Sequence, residues 1–163
     1  MPSFCDIIIT YFKVTGEFMS LTPSLLSPTS LAYLGDAVIE LMVRECLIVR
    51  CEAVKVSKLN ELSREFITAK AQSAAVELIL PVLSEEETDI FKRGRNSSHL
   101  SVPKNSSTAD YRRATGLECL FGYLHLSGQT ERIEQLFEIC FFPAETTESA
   151  PETASEATAQ EKE

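Results

Sequence analysis

Residues 30–44 read SLAYLGDAVIELMVR, and the spacing of their apolar side chains decides the fold. Leu31, Leu34, Val38, Leu41 and Met42 recur three and four positions apart, the period of one helical face. Pro28, Thr29 and Ser30 punctuate the start of this helix, which the pattern carries to about Val49. Asp36 sits in its middle, and Glu40 follows one turn later. A carboxylate within an apolar segment is costly unless something pairs with it. Tyr33, Asp36, Glu40 and Arg44 share a face distinct from the apolar stripe. Taken alone, that face is solvated, and Glu40 with Arg44 is an ordinary surface pair contributing roughly a few tenths of a kcal/mol.

Outward from this helix the same period continues. A second helical stretch is expected over about Val54 to Ala69, and a third through AQSAAVELILPVL to about Leu83. Ser84 with Glu87 three residues on is a capping box that opens a short helix to about Arg93. GRNSSHLSVPKNSST, residues 94–108, then breaks the pattern with small polar residues, a glycine and a proline. A loop of that length inside a compact domain points to function. Helical spacing resumes from about Ala109 through Tyr111, Ala114, Leu117, Phe121 and Leu124, and ERIEQLFEICFF closes the pattern. The expected class is all-α: a poorly defined lead over 1–23, one helical domain over 24–142 and a tail over 143–163. The tail has no aromatic residue to bury and is biased to Glu, Thr, Ala and Ser, a disordered composition.

At 163 residues, 44% apolar and 24% charged, the chain is long and apolar enough for one domain with a real core. Its net charge of −9 argues against a polyanionic partner until the distribution is read. Residues 144–163 hold six Glu and one Lys. Residues 92–113 run the other way, with Lys92, Arg93, Arg95, Lys104, Arg112 and Arg113 against Asp110 alone. The five cysteines form no CxxC pair and the two histidines, His99 and His125, are far apart, so a zinc site is not expected. An odd cysteine count fits a reducing cytoplasm. FCDIIITYF near the start carries Asp6 and lacks a basic flank, so neither a signal peptide nor a membrane span is expected there. Met19 is an alternative start.

A second acid, Glu118, lies in GLECLFG between Leu117 and Leu120, with Ala114 and Gly122 one turn to either side. Small neighbours let another helix come close. Two carboxylates facing each other from separate helices repel unless a cation lies between them. Mg²⁺ suits such a place, since it takes oxygen ligands, keeps several waters and needs only one or two carboxylates. It would then activate water for attack on a phosphate. The alternative is a Glu118 satisfied by backbone donors or by Arg112. The basic stretch offers a substrate to match: Arg95 and Lys104 on the loop, with Asn96 and Asn105 beside them and Tyr111 and Arg112 at the next helix start, are groups that bind phosphates and sugars. Lys70 and Gln72 in AKAQ add a further candidate contact. On charge alone, the same stretch is a solvated loop balancing an acidic tail.

LAYLGDAVIELMVRECL (31–47), AKAQ (69–72), KRGRN (92–96), VPKN (102–105) and YRRATGLECLFGYLHL (111–126) together resemble the catalytic domain of the ribonuclease III family, in its short Mini-ribonuclease III branch. The resemblance spans about 110 residues in the right order. It implies an all-helical endonuclease domain that dimerises and cuts double-stranded or structured RNA with Mg²⁺, for which Mn²⁺ can substitute, leaving 5′-phosphate and 3′-hydroxyl ends. It makes Asp36 and Glu118 the catalytic and metal-binding acids. With RNA as the substrate, the basic stretch is expected to supply the backbone contacts: Arg95, Lys104 and Arg112, joined by Lys70, Arg93, Asn96, Asn105 and Tyr111. The resemblance also implies a role in maturing large-subunit ribosomal RNA precursor, in the cytoplasm and away from membranes. Longer members of the family have a Glu where this chain has Ala32 and an Asp where it has Thr115, which leaves the number of metal ions open. Glu40 matches no catalytic position, and no double-stranded-RNA-binding domain fits after residue 142. The rival expectation is a non-catalytic, ribosome-associated RNA-binding module on the same fold.

Overall fold

A computed structural model of the chain describes residues 22–51, 54–97 and 107–142. The lead before residue 22, the tail from 143, and Lys104 and Asn105 of the basic loop lie outside the described residues. Six α-helices follow in order: α1 Pro28–Arg50, α2 Val56–Ile67, α3 Ala69–Ile79, α4 Glu85–Arg95, α5 Thr108–Leu126 and α6 Thr130–Phe141. Short 3₁₀ turns at Pro23–Leu25 and Leu80–Val82 complete an all-helical architecture among the described residues.

Local chemistry sets the boundaries. The Ser27 side chain accepts from the Ser30 backbone N–H, with Pro28 in the first turn, so α1 starts where its sequence signals place it. Thr68 caps α3 in the same way and thereby splits α2 from α3. The Ser84 backbone N–H donates to Glu87 at 2.8 Å while Glu87 N–H donates to Ser84 Oγ at 3.2 Å, closing the capping box of α4. Glu87 also receives Arg132 of α6 at 2.7 and 2.8 Å, and the same guanidinium donates to the Val82 carbonyl. This ion pair holds the Glu87 carboxyl below its ordinary range and ties α6 to the start of α4.

Helix α5 is the axle. Every residue from Ala114 to Leu124 is buried except Glu118, with α1, α3 and α4 packed around it and α6 closing one side. A helix covered on all sides has no polar face to display, which is why its sequence is nearly featureless in amphipathic terms. Glu118 is the only charged residue within that run.

The packing corrects the expected core stripe of α1. Leu31, Ala32, Gly35, Ile39, Val43 and Leu47 are buried, whereas Leu34, Val38 and Met42 are half-buried and Leu41 is exposed. The stripe is turned because glycines let the two backbones meet. A Cβ at Gly35 would overlap the Glu118 carbonyl and lie 2.7 Å from the Gly122 amide nitrogen, and one at Gly122 would overlap the Leu31 carbonyl. Close backbone approach, rather than the largest side chains, therefore decides which face of α1 points inward. Asp36 follows Gly35 directly and is carried to the rim of that contact.

Candidate active site

Asp36 of α1 and Glu118 of α5 line one open cleft together with Thr29, Ala32, Tyr33, Tyr111 and Thr115. The close crossing of the two helices explains the meeting of acids more than eighty positions apart. Burial pushes the Glu118 carboxyl up to about 7, and repulsion from Asp36 adds to the rise. Asp36 is also raised, first by its own partial burial and then by Glu40. Among the described residues no salt bridge reaches either carboxylate. Arg112, weighed from the sequence as a partner for Glu118, is exposed on α5 and makes no such pair.

Ala32 and Thr115, both neutral, are part of the same wall. Ala32 is buried, and the Thr115 hydroxyl donates to the Tyr111 carbonyl at 2.9 Å, one turn back along α5. No third His, Cys, Asp or Glu joins the pair into a group of three among the described residues. Two uncompensated carboxylates, both raised by burial and like charge, fit a hard divalent cation whose remaining positions are filled by water. Glu40 has a different occupation: it pairs with Arg44 one turn on, at the surface of α1.

The groups expected to meet RNA are distributed unevenly. Tyr111 is in the cleft with the acids. Arg95 and Asn96 bond each other at 3.2 Å, and Arg95 lies 5.9 Å from the Phe91 ring centroid. Both belong to the end of α4, which runs to Arg95, past the expected end at Arg93, because Lys92, Arg93 and Arg95 complement the negative end of its dipole. The Arg93 guanidinium donates to the carbonyls of Ser24 at 2.8 Å and Leu26 at 3.0 Å and so tethers the segment before α1. Lys70 and Arg112 are exposed, without ion pairs among the described residues. Gln72, expected to face phosphate, is buried beside Glu118. Its spacing held the signal: Gln72, Ala75, Val76 and Ile79 fall at i, i+3, i+4 and i+7, all on the buried side of α3.

The raised Glu118 has a measurable consequence. A carboxyl at about 7 in the folded chain against 4.5 ordinarily favours folding fully only below 4.5, and that contribution is lost as pH rises through 7. In chelator-treated protein, Glu118→Gln is therefore expected to melt close to wild type at pH 5 and clearly above it at pH 8. Differential scanning calorimetry at the two pH values reads this, and a difference that does not grow with pH refutes it.

Comparison with known proteins agrees with this geometry. The Ribonuclease III domain family matches residues 29–129. Mini-ribonuclease 3 of Symbiobacterium thermophilum is 41% identical over 71% of this chain and 88% of its own length. That of Brevibacillus brevis is 41% identical over 77% of this chain and 92% of its own. A crystal structure of a Fusobacterium nucleatum protein superposes with a TM-score of 0.64 at 30% identity, covering 71% of this chain and 91% of that one. The chain belongs to the ribonuclease III domain family and, within it, to the Mini-ribonuclease 3 group.

Proposed function

We propose that the protein is a Mg²⁺-dependent endoribonuclease that cuts double-stranded or structured RNA as a homodimer, leaving 5′-phosphate and 3′-hydroxyl ends. The observation that carries this reading is the meeting of Asp36 and Glu118 in one open cleft without a cationic partner among the described residues. Bound Mg²⁺ supplies Lewis-acid stabilisation of the charge developing on the phosphate and lowers the pKa of the attacking water. Asp36 and Glu118 hold the ion, and the neutral Ala32 and Thr115 leave room beside it for water. Lys70, Arg95, Asn96, Tyr111 and Arg112, with Lys104 and Asn105 of the loop, take the RNA backbone through charge and hydrogen bonds to phosphate and sugar. Duplex RNA offers phosphates and 2′-hydroxyls across a wide minor groove, so recognition is mainly of shape.

Exposed Leu41, Ile48 and Val56 leave apolar surface on α1 and α2 that a second copy would cover, which supports the homodimer. Each subunit then cuts one strand. The natural substrate in this reading is large-subunit ribosomal RNA precursor, processed in the cytoplasm; among the described residues no helix is long and apolar enough to cross a membrane.

The test is a cleavage assay on a long RNA duplex. Short fragments with 5′-phosphate ends are expected with Mg²⁺ and none with chelator. Binding of the duplex without any Mg²⁺-dependent product would leave a non-catalytic RNA-binding module and overturn the enzyme reading.

A further inference from the structure

Helix α3 packs against α5, and one of its side chains, the amide of Gln72, lies beside Glu118. Gln72 is 1% exposed, yet neither its Oε1 nor its Nε2 has a hydrogen-bond partner among the described residues. Ser63 donates to the Asn60 carbonyl, Thr115 to the Tyr111 carbonyl, and Glu87 holds Arg132 and Ser84, which leaves Ser127 Oγ, at the end of α5, as the other buried side-chain atom without a partner among the described residues. An amide buried without partners costs roughly 1–3 kcal/mol. The rest of its stripe, Ala75, Val76 and Ile79, is apolar, so packing alone gives no reason for an amide at this place. What Gln72 approaches is Glu118, and this approach opposes part of the rise that burial imposes on that carboxyl.

We propose that Gln72 is a positioning residue that fixes Glu118 for the divalent ion, its Nε2–H donating to one carboxylate oxygen so that the other is turned to the cleft. The choice of donor is chemically specific. Arg or Lys at this position would neutralise the negative charge the ion needs, and Asp or Glu would add a third repelling carboxylate. A neutral amide stabilises the ionised, correctly rotated Glu118 without competing for it, as the partners of metal-ligating side chains generally do. In the structure the amide lies beside the Glu118 carboxyl, and neither of its polar atoms has another partner among the described residues. The inference rests on the reading of Asp36 and Glu118 as metal ligands.

Gln72→Met keeps the length and removes the donor. Titration with Mn²⁺ alone, followed by calorimetry or by the loss of free-ion electron paramagnetic resonance signal, is expected to show about tenfold weaker binding than wild type. The melting temperature of the metal-free variant is expected to equal or exceed that of wild type, because no hydrogen bond is lost. Its cleavage of duplex RNA should be restored by about tenfold more Mg²⁺, since the defect lies in holding the ion. Wild-type Mn²⁺ affinity in a normally folded Gln72→Met overturns the inference and leaves the metal site standing. A wild-type chain that binds no Mn²⁺ overturns both. If Gln72→Met does not fold, Gln72→Asn withdraws the same amide by one methylene: the same weakening is expected, and undiminished affinity overturns the inference.

Discussion

Asp36→Asn and Glu118→Gln are each expected to lower kcat for duplex RNA by about a thousandfold or more, with RNA affinity within about threefold of wild type. The size follows from the role that the proposed function gives the two acids. Holding a Lewis acid at the scissile phosphate provides several kcal/mol of stabilisation to developing charge, and roughly 4 kcal/mol corresponds to three powers of ten in rate. The substituted amides keep the shape of the cleft and leave the cationic groups at Lys70, Arg95 and Arg112 unchanged, so binding is expected to survive. Glu40→Gln is the matched control. Glu40 pairs with Arg44 at the surface and bears on Asp36 only through like charge, so its removal is expected to leave kcat within about twofold. Single-turnover cleavage and filter binding on the three variants distinguish the two acids of α1. Wild-type turnover in Asp36→Asn would sink the assignment.

The two substitutions should also behave oppositely to ordinary core lesions. Each removes a carboxylate that burial and its neighbour push toward the neutral form. A neutral replacement relieves that cost at pH 8, so catalysis is lost without loss of stability. A structural role for the pair predicts the reverse.

How much of this was legible in the sequence depends on which force set each feature. Capping is local, and Ser84 with Glu87 announces the start of α4 three residues in advance. The acids were legible as a pair because Ala114 and Gly122 flank Glu118 at one-turn spacing, the mark of a close helical approach. The rotation of α1 was not legible. A hydrophobicity pattern favours Leu34, Leu41 and Met42 for the core, whereas the helix turns on Gly35 and buries Ala32 beside it. Apolar residues left over at Leu41 and Ile48 then face outward. The tether made by Arg93 was not legible either: within a basic run its charge reads as a phosphate contact, and its bonds to the carbonyls of Ser24 and Leu26 span nearly seventy positions. Long-range geometry of this kind leaves no periodicity to read.

That geometry makes Gly35 the position where fold and site are most tightly joined. Gly35→Ala is expected to destabilise the chain by about 3 kcal/mol or more, above the usual range for overpacking, because the obstacle is backbone and cannot swing away. Relative to the roughly 5–15 kcal/mol that holds a domain folded, that is a large share. The atom a Cβ would strike is the carbonyl oxygen of Glu118 itself, so relief requires α1 and α5 to part at the point where Asp36 and Glu118 face each other. Activity should therefore fall further than the folded fraction does, by about tenfold beyond it at a temperature where the variant is still folded. Gly128 provides the comparison: it has φ +68° with open space around it, so Gly128→Ala meets only the strain of the left-handed region, about 1 kcal/mol. It lies in the turn between α5 and α6, away from the cleft, and its cleavage rate per folded molecule should match wild type. Chemical denaturation with single-turnover kinetics on both variants separates the outcomes. Gly35→Ala with full activity per folded molecule would show that the helix crossing is not what sets the distance between the two acids.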